Sequence, residues 1–148
     1  MSEPDRHDSE ACTLAWHTLR LAHDRVAERL GGALTSECGL AINEFDVLLY
    51  LHTHTAEKVR TGALLDAVAL SQPALSRLVA RLESRGLLTR SPAADDGRAT
   101  IVSLTAAGAA LLDRAIAVHA RTVHETLTSK FSPAERESLL RTLSQIGQ

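Results

Sequence analysis

A chain of 148 residues, 45% apolar and 23% charged, can bury a core and has the composition of an ordinary soluble globular protein. Its net charge of −2 gives no global basic excess, and 3% aromatics (Trp16, Phe45, Tyr50 and Phe131) are too few for a platform that stacks single-stranded nucleic acid. Cys12 and Cys38 make no disulfide scaffold, MSEPDRHDSE is unlike a signal peptide, and no apolar run approaches the ~18–20 residues of a membrane span. No membrane partner and a cytoplasmic location are the resulting expectations.

Residues 1–8 are polar and are expected to form a disordered tail. From about Ser9 to Thr35, Leu14, Leu19, Ala22, Val26, Leu30 and Leu34 recur at helical spacing. A helix of about 27 residues spans ~40 Å, more than a small core needs, so it calls for a second partner. Gly31-Gly32 weakens its last turns, and Gly39 marks the loop beyond. A second helix over 42–53 turns Ile42, Phe45, Leu48 and Leu49 inward; Ala41 stands where a cap is wanted, so Asn43 is the alternative cap. Thr61 is expected to cap a third helix running to about Val68, and Ala69-Leu70 a tight turn. Ser71 then caps a fourth helix, whose first turn tolerates Pro73 and which Gly86 ends. Residues 87–92 and 98–104 read as strands joined by the turn 93–97. Thr105 restarts a helix to about Ser129, and Ser132-Pro133-Ala134-Glu135 is a capping box that opens the last one. The expected fold is mainly α with one β-hairpin.

The fourth helix carries the chemistry. With Leu75, Leu78, Val79 and Leu82 inward, Arg77, Ala80, Arg81 and Ser84 face out, while Gln72, Ala74 and Ser76 crowd its first turns. An α-helix fits the major groove of B-DNA, where arginine can donate two hydrogen bonds to guanine. The helix N-terminus at Ser71 suits a phosphate. Asp95-Asp96-Gly97-Arg98 at the hairpin tip ends in a cation suited to a narrow minor groove, with Asp96 placed to orient it. No catalytic cluster or phosphate loop points to an enzyme. The seven histidines, among them the pairs His52/His54 and His119/His124, lack metal-ligand spacing, so no metal and no cofactor are expected.

LSQPALSRLVARLESRGLLTRSPAADDGRATIVSLTAAG (70–108) resembles the signature stretch of the MarR family, through S-R-L-x-x-R-L-E-x-x-G-L, the D-x-R tip and V-x-L-T-x-x-G. GLAINEFDVLLYL (39–51) resembles its second helix; Ala41 and Ala69 depart from residues common there. The resemblance implies a winged helix-turn-helix DNA-binding region over 39–104, with N- and C-terminal dimerisation helices in 9–38 and 105–148. It places Gln72, Pro73, Ala74, Ser76 and Arg77 in the major groove and Arg98 in the minor groove; Ser71 and Arg81 complete the expected contacts. It further implies a homodimer on a palindromic double-stranded site, with half-sites about one turn (~10 bp) apart. The implied function is a transcriptional repressor released by a small aromatic or phenolic effector. Trp16, His17, Arg20 and His23 are the candidate ligand residues, Trp16 to stack and Arg20 to pair with a carboxylate. The alternatives are a redox-sensing regulator acting through Cys12, with Cys38 inert, and a winged-helix protein-interaction module.

Overall fold

The structure, a computed structural model, describes residues 3–54, 58–68, 70–93 and 100–146, with side chains from residue 9 onward. Its helices are α1 (Glu3–Cys38), α2 (Ile42–Thr53), α3 (Thr61–Ala67) and α4 (Gln72–Ser84), then α5 (Ala106–Thr126) and α6 (Pro133–Ser144), with a 3₁₀ turn at Thr128–Lys130. Between α4 and α5, β1 (Leu88–Pro92) pairs antiparallel with β2 (Thr100–Leu104), Leu88 opposite Leu104 and Arg90 opposite Val102. The expected mainly helical fold with one hairpin is what forms. Among the described residues no single helix is long and apolar enough to cross a membrane.

The chain divides into two compact units. One runs from Ala33 to His119 and holds nearly all of the buried apolar residues. Its centre is Leu34, Leu40, Leu48, Leu64, Leu75, Leu82, Leu88 and Leu112, each at or below 1% exposure. Full burial of one such side chain stabilises by roughly 1.5–3 kcal/mol. The inward stripe of α4 is the expected one, Leu75, Leu78, Val79 and Leu82. The inward face of α2 differs: Val47 and Leu51 join Phe45 and Leu48, while Ile42 and Leu49 are only half-buried.

The other unit comprises Met1–Gly32 and Ala120–Gln148. The expected tail is not a tail: α1 starts at Glu3. Gly31 and Gly32 lie within α1, which continues to Cys38. Gly39 ends it with φ +63°, its N–H bonding Thr35 O while Leu40 N bonds Leu34 O. Leu14 (66% exposed) and Leu140 (70%) leave α1 and α6 with apolar side chains on the surface, as does Ile146 (70%) just beyond α6. The capping box of α6 forms as expected. Ser132 Oγ accepts from Glu135 N, and Glu135 Oε2 accepts from Ser132 N at 2.8 Å. These bonds hold the Glu135 carboxyl below the usual carboxylate range.

The corner between α4 and α5 sets where the hairpin leaves the core. Gly86 (φ +70°) turns the chain, and Thr105 Oγ1 donates to its carbonyl at 2.7 Å while accepting from Gly108 N at 3.0 Å. Thr105 N bonds Leu87 O at 3.1 Å. The backbone passes so near that a Cβ on Gly108 would lie 2.0 Å from Leu87 O. Gly108→Ala should therefore lower unfolding stability by about 1–3 kcal/mol or more, as overpacking does. Urea unfolding at fixed protein concentration measures it; a change below about 0.5 kcal/mol would contradict this packing.

Candidate nucleic-acid interface

Helices α3 and α4 are bent by 114° relative to one another, inside the range of a helix-turn-helix. The segment before α3 joins the hairpin: Arg60 bridges to Ile101 and Val102 N bonds Val59 O at 2.9 Å. Arg60, not Thr61, is the N-cap of α3, and no side chain caps it. Thr61 instead begins the helix, its hydroxyl donating to Thr100 O at 3.2 Å, a bond to β2 that removes it from capping.

Ser71 caps α4 as expected, its hydroxyl accepting from Ala74 N at 3.4 Å, and Pro73 sits in the first turn. Gln72, Pro73, Ser76 and Arg77 are exposed along the front of the helix, with Ala74 half-buried. Among the described residues Arg77 has no hydrogen-bond or ion-pair partner. Arg98 and the rest of the hairpin tip, Asp95, Asp96 and Gly97, lie outside the described residues.

Arg81 is engaged. Its Nε donates to Glu44 Oε1 at 2.7 Å, and Arg85 Nη1 reaches Glu44 Oε2 at 3.4 Å. The Glu44 side chain is 4% exposed. It also accepts from Ala41 N at 2.8 Å. This is the returning half of a capping box, since the Ala41 methyl has no acceptor to offer. Ala41 is the cap, and the alternative at Asn43 is not taken. Arg85 Nη2 extends the network to Gly39 O at 3.0 Å. Sequence reasoning missed Glu44 altogether. It is an acidic residue in a first helical turn, a place where such residues are commonly solvated.

A second ion pair ties α4 to the hairpin. Arg90 Nε and Nη2 both donate to Glu83 Oε2, at 2.8 and 2.5 Å. That hydrogen bonding holds Glu83 below the usual carboxylate range and raises Arg90. A group with a lowered folded value contributes above its ordinary range and loses that contribution as pH falls through the lowered value. Carboxylate NMR titration should find Glu83 below the ordinary glutamate range in wild type and back within it in Arg90→Gln.

The four candidate ligand residues lie on α1, all exposed, Trp16 at 66%. Trp16, Arg20 and His23 share one stripe, and His17 is about 100° round the helix. Asp24 holds two of them, Arg20 Nη1 at 3.1 Å and His23 Nδ1 at 3.2 Å. His17 lines a shallow recess of about 350 Å³ with Ser9, Glu10, Thr13 and Leu14. A larger recess, about 620 Å³, lies elsewhere in that unit, among Val26, Arg29, Leu127, Lys130 and Phe131. Cys12 is exposed and Cys38 buried. No three His, Cys, Asp or Glu among the described residues gather to hold a metal ion.

The sequence profile of the MarR family matches residues 39–99, the span from the α1–α2 loop into the hairpin. The HTH-type transcriptional regulator PecS of Dickeya dadantii is 30% identical over 112 residues, covering 75% of this chain and 67% of PecS. The chain belongs to the MarR family. Among solved structures, Sco3205 of Streptomyces coelicolor, a MarR family regulator in complex with DNA, superposes with a TM-score of 0.81 at 23% identity. The match covers 91% of this chain and 88% of Sco3205. BpsR of Bordetella bronchiseptica, studied for the regulation of its DNA binding by 6-hydroxynicotinic acid, matches with a TM-score of 0.78 at 25% identity. That match covers 89% of this chain and 91% of BpsR.

Arg77 and Arg81 stand one turn apart on the outer face of a MarR family α4, yet they differ in what they hold. Arg81→Ala should cost about 1–3 kcal/mol, because it strips a buried carboxylate of its nearest donor. Arg77→Ala should stay within about 0.5 kcal/mol. Urea unfolding of the two variants at one protein concentration checks the contrast, and equal costs would refute it.

Proposed function

We propose that the chain is a double-stranded DNA-binding transcriptional repressor that works as a homodimer in the cytoplasm. The observation that carries this reading is the front of α4, where Gln72, Pro73, Ser76 and Arg77 are exposed on a capped, rigidly packed helix beside a β-hairpin. In this reading Gln72, Pro73, Ala74, Ser76 and Arg77 enter the major groove, Ser71 meets a phosphate at the helix start, and Arg98 enters the adjacent minor groove. Arg81 supports from behind through Glu44. Regulation is by binding rather than catalysis, and a protein seated on a promoter blocks polymerase.

The exposed apolar residues of α1 and α6 support the dimer, since isolated helices do not leave Leu19, Leu140 and Leu143 in water without a partner surface. A two-fold dimer reads a palindrome with half-sites about one helical turn (~10 bp) apart. Release by a small aromatic acid is the proposed control, with the exposed Trp16 ring and the Arg20 guanidinium as its contacts. The DNA-binding regulation of BpsR by 6-hydroxynicotinic acid supports that chemical class.

The test is fluorescence anisotropy on DNA from upstream of the protein's own gene, at several salt concentrations. Wild type should bind with sub-micromolar affinity that falls steeply with salt. Arg77→Ala and Arg98→Ala should each lose about 1–3 kcal/mol, Arg77→Ala with relaxed sequence preference. Weak binding, equal on unrelated DNA and indifferent to both substitutions, would overturn the reading in favour of a protein-interaction module. Trp16 is the only tryptophan, so its fluorescence should quench when a carboxylated aromatic binds and releases DNA.

A further inference from the structure

The apolar stripe of α4 decides which face it buries, but burial is non-directional and leaves a helix some freedom to roll about its axis. Directional side-chain bonds to other elements remove that freedom, and α4 has them on two flanks. On one flank Glu83 is held by Arg90. Arg81, about 200° round the helix from Glu83, is held by Glu44. The two anchors are unequal. The Glu83 and Arg90 side chains are 34% and 41% exposed, and water screens such a pair. The Glu44 side chain is 4% exposed and accepts from Ala41 N, Arg81 Nε and Arg85 Nη1, so any shift would strand charge in a dry site. The Ala41 N–H ties this carboxylate to the first turn of α2, which makes it a fixed point outside α4.

We propose that Glu44 is a positioning residue for base reading: through Arg81 it sets the roll of α4, and with it the base edge that Arg77 meets. This rests on the reading of α4 in the major groove. Arg77 stands four residues before Arg81, nearly on the same line along the helix, so a roll at Arg81 is passed whole to Arg77. At the outer radius of a helix, ~5–6 Å, a roll of about 20° carries a side chain about 2 Å sideways. A bidentate hydrogen bond to guanine does not survive such a shift. Glu44 itself touches no base. It acts on which base pair is preferred, not on how many phosphates are met.

The experiment measures anisotropy on the operator duplex and on duplexes with each base pair of a half-site changed in turn, at several salt concentrations. It compares wild type, Arg77→Ala, Glu44→Gln, Arg81→Gln and the double variant Glu44→Gln/Arg77→Ala, under conditions where urea curves show each one folded. Glu44→Gln keeps the size and an oxygen for Ala41 N–H, but it has no charge to hold the two arginines. Glu44→Gln and Arg81→Gln should lose discrimination, by about fivefold or more, at the base pairs where Arg77→Ala loses it. Both should keep the wild-type slope of log K against log salt. Added to Arg77→Ala, Glu44→Gln should change discrimination there no further, as for two residues acting through one contact. A carboxylate that only holds the fold would weaken every duplex by one factor and leave the profile intact, and that outcome overturns the proposal. A shallower salt slope in Arg81→Gln would make Arg81 a phosphate contact and overturn it too. Should Glu44→Gln fail to fold, Arg81→Gln, at an exposed side chain, decides the matter alone. A wild type with no sequence preference removes the reading of α4 itself. Variants that discriminate as sharply as a discriminating wild type remove only the role of Glu44.

Discussion

A carboxylate sealed in a protein interior must be met by donors, and the Glu44 side chain is met by three residues at once. The Ala41 N–H comes from the start of its own helix, Arg81 from α4 and Arg85 from the residue that ends α4. The arrangement closes when Arg85 reaches the Gly39 carbonyl, so one anion joins the α1–α2 loop, the first turn of α2 and the rear of α4. None of these donors can leave without stranding charge in a dry site. Because a helix is stiff, pinning the rear of α4 also aims its front. The orientation of Gln72 and Arg77 is set by a residue more than thirty positions away from Arg77 in the chain.

The hairpin is held by a different device, a corner with no spare volume. Gly86 supplies the left-handed turn, Thr105 bonds both the carbonyl before the hairpin and the N–H that starts α5, and Gly108 lets backbone touch backbone. The Glu83–Arg90 pair adds a link between the last turn of α4 and β1. Helix and hairpin are thus anchored at their shared end.

How much of this was legible in sequence follows from range. Ser71 and Ser132 were readable because a cap and its target lie three residues apart. The stripe of α4 was readable because its period repeats within one helix. The hairpin pattern and the family motifs fixed the order of elements, and the matched family span covers the same segment. Glu44 was not readable: its partners stand 37 and 41 residues on, and no local spacing announces them. The same blindness made Arg81 look like a twin of Arg77. Thr61 has the chemistry of a cap, but β2 claims its hydroxyl from 39 residues away. His119 stacks on Phe45 with centroids 5.1 Å apart, again a contact between distant segments.

The division of labour along α4 has an evolutionary consequence. Side chains that the fold requires on the solvent side of this helix, Arg81 and Glu83, belong to its rear half, along with Arg85 just beyond it. The front half owes the fold only its inward residues and the Ser71 cap. Gln72, Ser76 and Arg77 can therefore drift without a toll on folding, while the rear is frozen. Duplicated copies of such a gene could part company in what they recognise by a few substitutions, each tolerated on its own, with no intermediate that fails to fold.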